Sequence, residues 1–134
     1  DSREALEQLK RFITKQGGNE AVVEDSSLLP VSDNILEVKS ENSGFIQGIN
    51  SRMLGITAMK IGAGRKTKGD DIDYSVGIVL QKKVGEKINR DEILAKVYLG
   101  DSNNYNQIKN EIRKAFTIGD KKLEQLQLIY GTIR

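Results

Sequence analysis

An α+β fold is what this sequence predicts, on three observations. Two stretches carry apolar residues at helical spacing: Leu6, Leu9 and Ile13 near the start, and Ile108, Ile112, Ala115 and Phe116 near the end. Between them lie apolar runs of strand length, Val76–Leu80 and Ile93–Leu99, bounded by glycine and polar residues. Helical and extended segments are interspersed without a regular βαβ rhythm, which points away from a doubly wound parallel sheet.

Taken in order, the first helix has Asp1 or Ser2 placed as its cap. Gly17-Gly18 stop it, because glycine takes the left-handed position past a helix end without a Cβ clash. Ala21-Val22-Val23 reads as a short extended piece, and Ser26–Asn34 as a polar connector around Pro30. Ile35–Lys39 and Phe45–Ile49 flank Ser40-Glu41-Asn42-Ser43-Gly44, whose turn chemistry predicts a hairpin. Ser51 is placed to cap a second helix, with Leu54, Ala58 and Ile61 on one face and Gly62 at its end.

Val76–Leu80, apolar throughout, predicts a central strand buried on both faces. Lys82–Asp91 is polar, with Gly85 as a turn and Ile88 as an inward anchor, and Ile93–Leu99 is a further strand. Asp101 or Ser102 is placed to cap a third helix that Gly119-Asp120 break. Leu126–Tyr130 reads as a last strand, with 131–134 a tail. The expected organisation is one domain over 1–134, with a leading helix and connector over 1–30, a core over 31–119 and a terminal strand and tail over 120–134.

The 134 residues, 37% hydrophobic and 30% charged, fit a globular domain with a modest core. With 21 basic and 19 acidic residues, the net charge of +2 gives no whole-molecule reason to expect nucleic acid or an anionic membrane. No cysteine is present, which excludes disulfides and thiolate metal sites. No histidine is present, which removes the commonest general base at neutral pH and the commonest metal ligand. No apolar run approaches the roughly 20 residues that a membrane span requires. Asp1-Ser2-Arg3-Glu4 has neither an initiator Met nor a basic segment followed by an apolar one, so the expectation is a domain excised or processed from a cytoplasmic protein.

The chemistry candidates centre on the loop after the second helix. Gly62, Gly64 and Gly69 offer backbone N–H groups, and Arg65, Lys66 and Lys68 add positive charge, a combination that binds anions in backbone nests. Its spacing is neither that of a P-loop nor that of the dinucleotide fingerprint, since Thr67 stands where the latter needs glycine. The simpler reading is a solvated loop after a helix end. Asp70, Asp71 and Asp73 lack the alternating spacing of a calcium loop, and local charge compensation with turn-capping by Asp73 accounts for them. Without His or Cys only a Ser-Lys pair remains for nucleophilic chemistry, and Ser51, Ser75 and Ser102 each have a simpler role as cap or turn residue.

Two resemblances follow from specific residues. Glu37-Val-Lys-Ser-Glu-Asn-Ser-Gly-Phe-Ile46 and Lys83-Val-Gly-Glu-Lys-Ile-Asn-Arg-Asp-Glu-Ile-Leu94 look like the two half-motifs of biotinyl and lipoyl carrier domains. This implies an α/β-hammerhead with barrel-sandwich-like halves and about three helices. A stand-alone carrier or binding module is the alternative reading, although Lys39, Lys82 and Lys83 do not sit at the hairpin tip where a modified lysine belongs.

The wider resemblance is to pyrimidine-nucleoside phosphorylases and thymidine phosphorylases, in their C-terminal domain. It is carried by Gly62-Ala-Gly-Arg65, Asp71-Ile-Asp-Tyr-Ser-Val-Gly-Ile-Val-Leu80, Lys82-Lys-Val-Gly85, Leu36-Glu-Val-Lys39 with Ser43-Gly-Phe-Ile46, and Gln16-Gly-Gly-Asn19. The resemblance implies a homodimeric cytoplasmic pentosyltransferase that converts a pyrimidine nucleoside and phosphate to free base and sugar 1-phosphate. An N-terminal helical domain would hold the base and a central α/β domain the phosphate. None of those motifs occurs in this chain, so the expectation is a structural segment, inactive and monomeric alone, with no core catalytic residue, no metal and no cofactor of its own. Only the loop with Gly62, Gly64, Arg65, Lys66 and Lys68 carries a functional expectation, as an anion-attracting loop that helps to close the cleft.

Overall fold

A computed structural model describes residues 2–65, 67–100, 104–124, 130, 131 and 133. The chain divides into two compact units, residues 1–31 and 32–134.

In the first unit, α1 spans Glu4–Lys15. Gly17 follows it in the left-handed conformation, as the helix stop requires. Of the expected caps, Asp1 lies outside the described residues. The N-cap position is Arg3, whose side chain makes no capping bond and instead reaches Glu24. Ala21–Val23 is not extended. Glu20–Val23 forms a 3-10 turn because the Asn19 side chain accepts from the Ala21 N–H, a local bond that outweighs the β preference of two valines. Asp25 does the same for a second turn, Ser26–Leu28.

The second unit is α+β. It contains β1 (Ile35–Lys39), β2 (Gly44–Ile49), α2 (Ser51–Ala58), β3 (Gly77–Leu80), β4 (Lys87–Ile88), β5 (Ile93–Tyr98), α3 (Tyr105–Ala115) and β6 (Phe116–Gly119). Two antiparallel three-stranded sheets result, ordered β1-β5-β3 and β4-β2-β6.

The segments expected to form a hairpin therefore belong to different sheets: β1 pairs with β5, and β2 with β4 and β6. The reason lies at Ser40. Its N–H donates to the Glu92 carbonyl, its own carbonyl accepts from the Asp91 N–H, and its buried hydroxyl donates to the Asn42 carbonyl. The backbone is thereby bound to the 89–92 turn and passes from one sheet to the other instead of folding back. Gly44 completes the corner at φ +153, with the β6 backbone so close that a Cβ would stand 2.8 Å from the Gly119 carbonyl oxygen.

Val76–Leu80 is not a central strand. β3 is an edge partner of β5, and Val79 and Leu80 are 47% and 41% exposed. The central strand is β5, whose Leu94, Ala95 and Val97 are buried. An apolar run does not report how many neighbours its backbone has; that depends on which segments the chain brings alongside.

Ile88, Ile46 and Val38 are fully buried, and Gly85 makes its turn at φ +88. The side chain of Asn50 caps α2, and that of Asn104 caps α3. Ser51 is instead the first helical residue, and Asp101 and Ser102 lie outside the described residues. α3 ends at Ala115, before Gly119, because Phe116–Gly119 pair with β2 as β6. Of the last predicted strand, Leu126–Ile129 lie outside the described residues, and Tyr130 is exposed. Among the described residues no helix is long and apolar enough to cross a membrane.

Candidate functional site

α2 delivers the chain to the basic loop through one wide helical turn, Met59–Ala63, within which Gly62 leaves the helical conformation at φ +107. The loop is closed at its base by the Asp73 N–H donating to the Gly62 carbonyl at 3.0 Å. Within it, the Asp70 carboxylate accepts from the Thr67 N–H at 2.9 Å and from its hydroxyl at 2.6 Å. Arg65 Nε donates to the Asp70 carbonyl at 3.0 Å. At the exit, Asp73 accepts from the Ser75 hydroxyl and N–H, which together hold its carboxyl below the usual range. The Ser75 carbonyl in turn accepts from the Ser32 N–H.

The sequence-predicted residues thus fall as follows. Gly62 and Gly64 are half-buried at the root of the loop, and Arg65 and Lys68 are exposed on it. Lys66 lies outside the described residues. Asp73 caps a turn, as its spacing predicted, and Asp70 braces the loop from within. No group of three or more metal-type ligands occurs among the described residues. Ser75 is committed to Asp73, and Lys82 pairs with Glu92 at 3.3 Å, beside its contact with the Lys87 carbonyl. Lys39 lies within β1 and not at a turn tip.

Sequence reasoning missed a second polar cluster, between α2 and α3. Glu111 of α3 accepts from Lys60 at 2.6 Å, from Gln107 at 3.0 Å and lies 3.1 Å from the buried hydroxyl of Thr57. Lys60 is the largest of the influences holding the Glu111 carboxyl below its usual range. Thr57, Lys60 and Glu111 line a groove of about 330 Å³ with Arg52, Met53, Ile56 and Lys114. The signal was present in the spacing: Thr57 with Lys60, and Gln107 with Glu111, share one face of their own helices. What the spacing could not show is that the two faces meet. A further bond of this kind runs from Arg113 Nε to the Lys39 carbonyl at 3.0 Å, and the same guanidinium pairs with Glu41.

The chain matches the family model described as the pyrimidine nucleoside phosphorylase C-terminal domain, over residues 45–119. It is 38% identical over 120 residues to a pyrimidine-nucleoside phosphorylase of Staphylococcus aureus strain bovine RF122 / ET3-1, which covers 90% of this chain and 28% of that protein. Proteins of the same name from strains USA300 and NCTC 8325 / PS 47 show the same identity and coverage. The chain therefore spans little more than a quarter of the length of these curated relatives.

Proposed function

Because the chain belongs to the family of pyrimidine nucleoside phosphorylase C-terminal domains, we propose that it is the C-terminal structural part of a pyrimidine-nucleoside phosphorylase. The whole enzyme would be a pentosyltransferase, splitting uridine, deoxyuridine or thymidine reversibly with phosphate to give free base and (deoxy)ribose 1-phosphate. The observation that carries this reading is the match over residues 45–119, which takes in α2, the basic loop, α3 and β3 to β6. The 38% identity over 90% of the chain supports it.

In this reading the segment buttresses the phosphate-binding part of the enzyme and shapes the cleft. It contributes no catalytic residue and is inactive and monomeric by itself, while the whole enzyme is a cytoplasmic homodimer. The absence of His and Cys from the sequence supports the division of labour, since proton transfer near neutral pH is then left to the rest of the enzyme. Phosphate is a co-substrate of the whole enzyme, and this segment holds no cofactor.

The basic loop is the part that acts on the cleft. Its internal bonds, Thr67 and Arg65 to Asp70 and Gly62 to Asp73, let it move as one piece, so that Arg65 and Lys68 present their charge together. They attract phosphate and steady the closed form without touching the reacting bond.

The test is phosphorolysis of uridine and thymidine by this chain alone and with a protein supplying the rest of the enzyme. Activity only in the combined sample supports the reading. Turnover by the chain alone overturns it and moves the active site to the Arg65–Lys68 loop.

A further inference from the structure

The first unit contains no buried residue in α1 or in either 3-10 turn. α1 is nevertheless amphipathic. At 3.6 residues per turn, Ala5, Leu6, Leu9, Phe12 and Ile13 fall within one arc of about 120°, with the charged residues outside it. Leu6, Leu9 and Phe12 are 38%, 45% and 62% exposed.

Polar contacts within the unit hold its own 20–24 segment off this arc. Arg3 and Lys10 both reach Glu24, at 3.0 and 2.6 Å, and the Thr14 hydroxyl donates to Glu20 at 2.6 Å. These bonds fasten the 20–24 segment along the flank of Arg3, Lys10 and Thr14, roughly a third of a turn around the helix from Leu9. The apolar arc faces away from that flank. A helix of 12 residues that buries no side chain is marginal by itself, because lone helices below about 12–15 residues do not offset their nucleation cost.

We propose that the Leu6–Leu9–Phe12 face of α1 is a docking surface for the part of a phosphorylase chain that lies beyond this sequence. Residues 1–31 then pack with that neighbouring body, and the C-terminal domain proper starts near Ser32. The proposal rests on the phosphorylase reading and adds the contact surface to it. Two observations select this occupant. The family match starts at residue 45 and does not include α1, and residues 1–31 form a compact unit of their own. The 120 residues shared with the S. aureus enzymes exceed what 45–134 can hold, so the likeness extends into the leading segment, while the chain spans only 28% of those enzymes. Most of each relative is therefore left to supply an opposing apolar surface.

The test compares this chain alone with a chimaera in which residues 1–134 replace the matching part of the S. aureus enzyme. Each is prepared with α1 unchanged and as Leu9→Glu/Phe12→Glu. Amide exchange over residues 4–15 is expected to be fast in the chain alone and slowed roughly tenfold or more in the chimaera. The double substitution should abolish that protection and lower the Tm of the chimaera, while leaving the Tm of the chain alone unchanged.

Protection in the chain alone that Ile35→Glu or Val79→Glu removes would overturn the proposal in favour of packing within the chain. A dimer of the chain alone that the α1 substitutions dissolve would overturn it in favour of a second copy. Where the chimaera is insoluble, sedimentation of this chain with the separately produced remainder of the S. aureus enzyme replaces it. Comigration lost on substitution supports docking, and comigration absent or indifferent to substitution overturns it. An active chimaera with an unprotected α1 would sink the docking surface and leave the phosphorylase reading intact. An inactive chimaera with a protected α1 would do the reverse.

Discussion

Lys60 Nζ lies 2.6 Å from Glu111 Oε1, so the turn that ends α2 is bound to the middle of α3. The pair is only part-exposed on the Glu111 side, and Thr57, 1% exposed, offers its hydroxyl to the same carboxylate. The helix that leads into the basic loop is thereby anchored to the helix that leads into β6.

Stability should follow this carboxylate in a defined pH window. The folded-state pKa of Glu111 is lowered from its usual 4.5, so its contribution is fully present above that value and is lost as pH falls through the lower folded-state value. Glu111→Gln is expected to cost about 1 kcal/mol at pH 7, a modest figure because Lys60 is well exposed. The difference in Tm between the two proteins should hold from pH 6 to 8 and shrink below pH 4.5. A constant difference down to pH 3 would show that the ion pair does not carry the effect.

The two apolar positions Ile112 and Val79 should respond to very different degrees. Ile112 is fully buried and its truncation to Ala leaves a cavity, at a cost of about 2–5 kcal/mol. Val79 lies half-exposed on an edge strand, and Val79→Ala should cost less than about 1 kcal/mol. Urea midpoints of the two variants measure the contrast, and equal losses would place β3 inside the sheet.

Gly44 and Gly55 provide a second contrast. Gly44→Ala puts a Cβ against the Gly119 carbonyl at a positive φ and should destabilise by about 2–3 kcal/mol. Gly55 lies in α2 with open space around it, and Gly55→Ala should stabilise by about 0.5–1 kcal/mol. Thermal unfolding of both variants gives the signs directly.

Arg65→Ala tests the role proposed for the loop. In the chimaera, the substitution is expected to raise the KM for phosphate several-fold and to leave the Tm nearly unchanged, since Arg65 is exposed. Unchanged phosphate KM and kcat would remove the loop from the catalytic cycle.

Much of the fold was legible residue by residue. Leu6, Leu9 and Ile13 lie in a helix, as their spacing indicates, and so do Ile108, Ile112 and Ala115. Ile88 is the inward anchor expected of it, and Asp73 is the turn cap. The errors share a cause. Val22 and Val23 favour strand, but the neighbouring Asn19 side chain captures the Ala21 N–H first. Phe116 continues the helical stripe by spacing, yet β2 offers it a ladder and the helix ends one residue earlier. For the candidate site, the residue types of the loop were readable, whereas the Thr57–Lys60–Glu111 cluster was not, because its members come from helices about 50 residues apart in sequence.

The sequence by itself determined most of the helical and extended segments, the turns at Gly17 and Gly85, inward side chains such as Ile88, and the family likeness. Each of these depends on periodicity, local capping or motif, and all three are properties of near neighbours in the chain. Only the tertiary structure decided that β1 and β2 part into separate sheets, that β5 and not β3 is central, and that Lys60 meets Glu111. Those outcomes rest on backbone and side-chain bonds between distant segments, such as Ser40 with Asp91 and Glu92. Such bonds form only when the whole chain has folded, because the entropy cost of closing a long loop must be offset by many contacts at once.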